Sequence, residues 1–165
     1  MTDSILPMDL LLARFRDGIP RVTSLDGGET SADRLVFRFM TAIDRGDTVT
    51  LARLRVSRGE YAWLYFPTSA YTAPPYELPP DVAWMLSAAA SEKGLARVVR
   101  RLRGSSLQVR DYRCWKEARE GPNRFLSQCM VEYDDQHEGP VARRLFGTIM
   151  ERDGHYKFLS YANDF

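Results

Sequence analysis

Residues 143–162 read RRLFGTIMERDGHYKFLSYA, and this stretch decides the fold class. Its centre, Asp153-Gly154, is a strong hairpin signal because both turn residues tolerate positive φ. The flanking segments, 142–152 and 155–162, are therefore predicted to be antiparallel strands. The C-terminal part of the chain is expected to contribute a sheet whose strands are joined by tight turns.

A second hairpin is predicted immediately upstream. Strands over 107–118 and 125–133 flank a Gly-Pro-Asn turn centred on Gly121-Pro122. This register places Cys114 directly opposite Cys129, where the two Cβ atoms of a pair lie roughly 4.5–5.5 Å apart. Two readings remain open at this point: a disulfide, or two buried free thiols as a reducing compartment would leave them.

The segments before the strands have helical periodicity. Between residues 31 and 45 the apolar positions follow a 3.6-residue repeat, with Ser31 placed as the N-cap and Gly46 just past the end. Asp47 is predicted to cap a second short helix, and a further helix is expected over 81–103. Helices followed by hairpins indicate an α+β fold with an antiparallel sheet curled over the helices. Residues 1–30 are assigned to an N-terminal extension and residues 31–165 to a single domain.

Aromatic residues concentrate in the middle of the chain. The run from Glu60 to Phe66 is predicted to be extended, with alternate rings on one face, and a helical turn is the alternative. A loop with five prolines follows over 67–80. A ligand cavity and a packed aromatic core are both compatible with this pattern. The candidate ligand-binding residues are Tyr61, Trp63, Tyr65, Tyr71, Tyr76 and Trp84.

Composition gives no indication of a charged partner. The net charge is +1, so neither nucleic acid nor a membrane is predicted as a partner, and the arginines of 97–103 are interpreted as a solvated helix end. His137 lies in an acidic turn without metal-ligand spacing, so no metal and no cofactor is predicted. The localisation stays open: cytoplasmic if Met1 is native, exported if a signal peptide preceded the chain.

Two short segments resemble the nuclear transport factor 2-like superfamily, which includes the SnoaL-like proteins and ketosteroid isomerase. They are Ala42-Ile43-Asp44-Arg45-Gly46-Asp47 followed by Leu51-Ala52-Arg53-Leu54, and the closing Glu151–Phe158. The resemblance covers residues 31–162. It implies a cone-shaped half-barrel, a cavity between sheet and helices, and frequent dimers. No catalytic residue of ketosteroid isomerase matches a position here, so none is carried over.

The function expected from these observations is the binding of a small, largely apolar molecule. A general acid–base enzyme on the same scaffold and a protein-interaction module without a ligand are the alternatives. An ionisable side chain pointing into the cavity favours the enzyme. Glu60, Glu151 and Lys157 are the ionisable residues nearest predicted apolar strands, and none is assigned a role.

Self-association is predicted from the last hairpin, which is apolar on both faces. One face can cover the helices, and the other needs a cover of its own. A homodimer through the sheet provides that cover, and residues 1–30 folding back over the face are the alternative.

Overall fold

The fold is described here from a computed structural model, which covers residues 6–165. Residues 1–5, the start of the predicted N-terminal extension, lie outside the described part. The helices are α1 (Met8–Arg16), α2 (Ala32–Arg45), α3 (Thr48–Leu54), α4 (Arg58–Glu60) and α5 (Pro80–Leu102). The strands are β1 (Val109–Glu120), β2 (Asn123–Asp135), β3 (Gly139–Arg143), β4 (Ile149–Arg152) and β5 (His155–Phe158). The predicted α+β class is confirmed.

The five strands form one antiparallel sheet around β2. Strand β1 runs along one edge of β2, while β3 and β4 share the other edge, and β5 pairs with β4. The predicted single strand over 142–152 is wrong, because the chain leaves the ladder between Arg143 and Ile149. Leu145 and Phe146 of that irregular stretch are fully buried, so burial of these side chains replaces pairing there.

Local signals in the sequence fix the ends of α2 and the start of α3. The Ser31 side chain accepts a hydrogen bond from the Arg34 N–H, and Gly46 ends the helix with a φ of 64°. Asp47 then accepts from the Thr50 N–H at 3.0 Å and begins α3. All three predicted caps are confirmed.

The last hairpin has the predicted turn and register. Asp153 and Gly154 have φ values of 50° and 79°, and Ile149 pairs with Phe158. Ile149 joins the core formed with α2, and Met150, on the opposite face, joins a second core.

The N-terminal segment covers this second face of the hairpin. Phe15 and Leu25 are buried in the same cluster as Met150, and Glu29 forms a β-bridge with Tyr156. Side chains within residues 6–30 therefore pack against the rest of the domain. Part of the predicted N-terminal extension thus lies against this face, and the homodimer stays a prediction.

The aromatic run from Tyr61 to Tyr65 is helical, which corrects the predicted extended conformation. Ser57 and Glu60 form a capping box, in which each side chain accepts from the other residue's backbone N–H. The box begins α4, and the chain continues through a wide π-helical turn over Tyr61–Tyr65 into a 3₁₀ turn over Phe66–Thr68. Nucleation by the box thus outweighs the strand preference of aromatic residues.

The first hairpin has the predicted cysteine register. Cys114 is the direct partner of Cys129, with Cα atoms 4.0 Å apart. The structure joins the two sulfurs in a disulfide that links β1 to β2.

Candidate functional site

A cavity of about 390 Å³ lies between the helical aromatic run, the N-terminal half of α5 and the segment that follows β5. Its size is within the range of small-molecule sites. The wall consists of hydroxyl-bearing and aliphatic side chains: Tyr61, Tyr65, Tyr71, Leu78, Ala83, Leu86, Ser87, Thr148, Leu159 and Ser160.

Three of the predicted ligand-binding residues meet at this cavity. Tyr61 and Tyr65 are one helical turn apart, with ring centroids separated by 4.8 Å. Tyr71 belongs to the proline-rich loop. A hydrogen bond from the Leu78 N–H to the Tyr71 carbonyl, at 3.0 Å, holds the two ends of residues 71–78 together. The wide helical turn therefore brings Tyr61 and Tyr65 to the same side as the loop.

The hydroxyl groups of these three tyrosines make no hydrogen bonds that stabilise the described part of the chain. Within residues 6–165, none of the three makes a hydrogen bond to another part of the chain. The hydroxyls of Tyr61 and Tyr65 are not among the fully buried polar atoms without a partner, and the Tyr71 side chain is 37% exposed, so the three groups remain accessible from the open side of the cavity. The three hydroxyls at the cavity are therefore available to a bound molecule.

The cavity environment raises the pKa values of two of the phenols further above neutral pH. Burial raises the pKa of Tyr61, and the neighbouring Tyr65 and Tyr71 raise it further. Burial also raises the pKa of Tyr65, with Tyr71 and the Glu120 carboxylate adding to the effect. Both groups are neutral hydrogen-bond donors near pH 7.

The other three candidate residues lie elsewhere. Trp84 packs edge-on against Tyr61, with ring centroids 5.1 Å apart, and supports the wall from behind. Trp63 points away from the cavity, with the Arg16 guanidinium 4.0 Å from its ring centroid. Tyr76 is 68% exposed and does not line the cavity. The π-helical turn explains the position of Trp63, because residues two apart on a helix face different directions.

Glu60, Glu151 and Lys157, the ionisable residues named from the sequence, form ion pairs within the fold. The Lys157 ammonium lies 2.6 Å from the Glu60 carboxylate, and both side chains are buried. Glu151 lies 3.6 Å from Arg124 and accepts from the Gly154 N–H. None of the three lines the cavity.

Seven of the ten residues of the cavity wall were missed by the sequence analysis. Ala83, Leu86 and Ser87 lie on one face of α5 at helical spacing, and this spacing is the signal that identifies them. Leu159 and Ser160 follow β5, where the chain leaves the sheet, and no local pattern marks them as cavity residues.

Within residues 6–165, the structure adds no metal-binding cluster to the cavity. Among residues 6–165 no group of three histidine, cysteine, aspartate or glutamate side chains is arranged to hold a metal ion. In the same part of the chain, no helix is long and apolar enough to cross a membrane.

Comparison with known proteins found no matching family model, no matching curated protein and no matching solved structure. The interpretation of the site therefore rests on its geometry and chemistry.

Proposed function

We propose that the tyrosine-lined cavity binds a small, largely apolar molecule. The observation that carries the proposal is the set of three tyrosine hydroxyls that the fold leaves without a partner at a cavity of about 390 Å³. A mainly apolar pocket with a few convergent polar groups is the usual construction of a small-molecule site. Aliphatic groups of Leu78, Leu86 and Leu159 supply apolar contact, and the hydroxyls fix orientation.

Binding is favoured over general acid–base catalysis by the identity of the wall residues. Among residues 6–165, the cavity lining contains no carboxylate, imidazole or ammonium group. The phenols of Tyr61 and Tyr65 have raised pKa values, so they are un-ionised at neutral pH and are weaker acids than an ordinary tyrosine. Such a wall orients a ligand through donated hydrogen bonds.

We also propose that the fold is the cone-shaped half-barrel of the nuclear transport factor 2-like superfamily. Two observations support this: α2 and α3 join through Gly46-Asp47 as the resemblance implies, and the antiparallel sheet packs against α2.

Co-crystallisation with N-phenyl-1-naphthylamine, a neutral and apolar fluorophore, tests the proposed function. We expect its electron density in the cavity, in contact with Tyr61, Tyr65 and Tyr71. Crystals grown at saturating fluorophore with the cavity empty, or with the fluorophore on the surface alone, contradict the proposal.

A further inference from the structure

The tyrosine-lined cavity has three aromatic rings in its wall. Tyr61, Tyr65 and Tyr71 all line it, and the ring centroids of Tyr61 and Tyr65 lie 4.8 Å apart with the ring planes at 45°. The face of an aromatic ring carries partial negative charge and attracts a cation placed within about 6 Å of the ring centroid. A wall with several tyrosines therefore suits a positively charged group as well as an apolar one.

A carboxylate without a partner lies at the end of strand β1. Glu120 is the last residue of that strand, and its Oε2 atom is buried and accepts no hydrogen bond within residues 6–165. In the same part of the chain, no arginine, lysine or histidine forms an ion pair with it. Burial raises the pKa of this carboxyl group. A positive charge brought near Glu120 therefore stabilises its ionised form.

The turn between β1 and β2 holds Glu120 beside the cavity. Asn123, the ladder partner of Glu120, is fully buried, and its side-chain amide donates to the Leu64 carbonyl at 2.8 Å. Tyr65 directly follows Leu64, so this hydrogen bond joins the turn to the helical aromatic run. The carboxylate is near enough to raise the pKa of the Tyr65 phenol.

A cation at the same turn is engaged by other acceptors. The Arg152 guanidinium donates to the Asn123 side-chain oxygen at 3.1 Å and to the Leu64 carbonyl at 3.3 Å. Among residues 6–165, no arginine, lysine or histidine lines the cavity. The cavity thus has a carboxylate beside it and no cationic side chain in its wall, which disfavours an anionic ligand.

We propose that the apolar molecule bound in this cavity carries an ammonium group, held against the tyrosine rings with Glu120 as its counter-charge. This inference rests on the proposed function and specifies the class of the ligand as a hydrophobic amine. The aliphatic part of such a molecule contacts the leucines of the wall, and its charge interacts with the ring faces. Aromatic rings around a cavity are a known means of binding quaternary ammonium groups.

Two molecules of the same shape test the charge by displacing bound N-phenyl-1-naphthylamine. Phenyltrimethylammonium and tert-butylbenzene differ in one atom, a positively charged nitrogen in place of a carbon. We expect phenyltrimethylammonium to bind the unmodified chain with a dissociation constant at least about tenfold lower, a difference of about 1.4 kcal/mol. The physical reason is that the ring faces and Glu120 attract the charge, which only one of the two molecules carries.

Two variants assign this preference to the proposed site. Glu120→Gln removes the counter-charge, and Tyr71→Leu removes one ring at a position that is 37% exposed. Each should reduce the preference for the ammonium ion by at least about threefold. Glu117→Gln is the matched control, because it removes a carboxylate that is 53% exposed on the same strand, and it should keep the preference. Circular dichroism establishes that every variant is folded.

The outcomes separate this inference from the proposed function. Saturable binding of the fluorophore with less than about threefold preference for the ammonium ion leaves the cavity as a binding site and overturns the cationic ligand. A preference that is unchanged in Glu120→Gln or in Tyr71→Leu, or that falls equally in Glu117→Gln, also overturns it, because the charge is then recognised elsewhere. The absence of saturable fluorophore binding contradicts the proposed function, and this inference with it.

Discussion

Lys157 and Glu60 form a buried ion pair that joins three separate parts of the chain. The Lys157 ammonium donates to the Glu60 carboxylate at 2.6 Å and to the Asp26 carbonyl at 2.7 Å. The carboxylate also accepts from the backbone N–H groups of Ser57 and Asp26. The ion pair thus connects strand β5, the capping box of α4 and the N-terminal segment, and both of its charges have hydrogen-bond partners. Glu60 directly precedes the helical run that carries the cavity tyrosines.

Removing one partner of this pair is expected to destabilise the fold strongly. Lys157→Met leaves the Glu60 carboxylate buried without its counter-charge, which costs about 3–5 kcal/mol. The double variant Lys157→Met/Glu60→Gln should recover part of this loss, because no uncompensated charge remains. Urea unfolding of the three proteins measures the effect.

An exposed ion pair supplies the control for this experiment. Asp164→Asn removes the partner of Arg144, at side-chain exposures of 79% and 39%, and should change the free energy of unfolding by less than about 1 kcal/mol. A loss in Lys157→Met no larger than in Asp164→Asn contradicts the structural role of the buried pair.

The tyrosines divide into those that serve the fold and those that face the cavity. Tyr161 donates to the Leu51 carbonyl at 2.6 Å in the core, so Tyr161→Phe leaves a buried acceptor unsatisfied and should cost about 1–3 kcal/mol. Tyr61→Phe and Tyr65→Phe remove hydroxyls that bond to nothing within residues 6–165. We expect both to change stability by less than about 0.5 kcal/mol.

Thermal and urea unfolding of these three variants distinguishes the two roles. A loss of stability in Tyr61→Phe or Tyr65→Phe as large as in Tyr161→Phe would show that the cavity hydroxyls have partners in the folded chain.

Local signals made much of the fold predictable. The Ser31 and Gly46 caps, the Asp153-Gly154 turn and the register of Cys114 against Cys129 each depend on a few neighbouring residues, and each was predicted. The break between Arg143 and Ile149 depends on burial against distant helices, which the sequence does not display.

Only three of the ten wall residues of the cavity were predicted, for a related reason. Tyr61, Trp63 and Tyr65 suit either a strand or a helix, and the choice is made by the capping box that precedes them. That box is visible in the sequence as Ser57-Arg58-Gly59-Glu60. The wall residues from α5 become neighbours of the tyrosines only through tertiary packing.

The disulfide is expected to be detectable in the purified protein. Under denaturing, non-reducing conditions neither Cys114 nor Cys129 should react with iodoacetamide, and the structure contains no free cysteine among the described residues. Because the bond closes a loop of 15 residues, Cys114→Ser/Cys129→Ser should lose about 3 kcal/mol. Two labelled cysteines in the oxidised protein, seen by mass spectrometry, would contradict the bond.

The central claim, that the tyrosine-lined cavity is a binding site, is tested most directly by the affinity for N-phenyl-1-naphthylamine. Ser87→Trp places a large side chain in the cavity wall, whereas Met85→Trp places the same side chain at a 60% exposed position on the opposite side of the same helix. Fluorescence titration should give saturable binding to the unmodified chain and to Met85→Trp, and binding at least about tenfold weaker to Ser87→Trp, a loss of about 1.4 kcal/mol. Equal affinity in all three proteins, or no saturable binding to the unmodified chain, would contradict the claim.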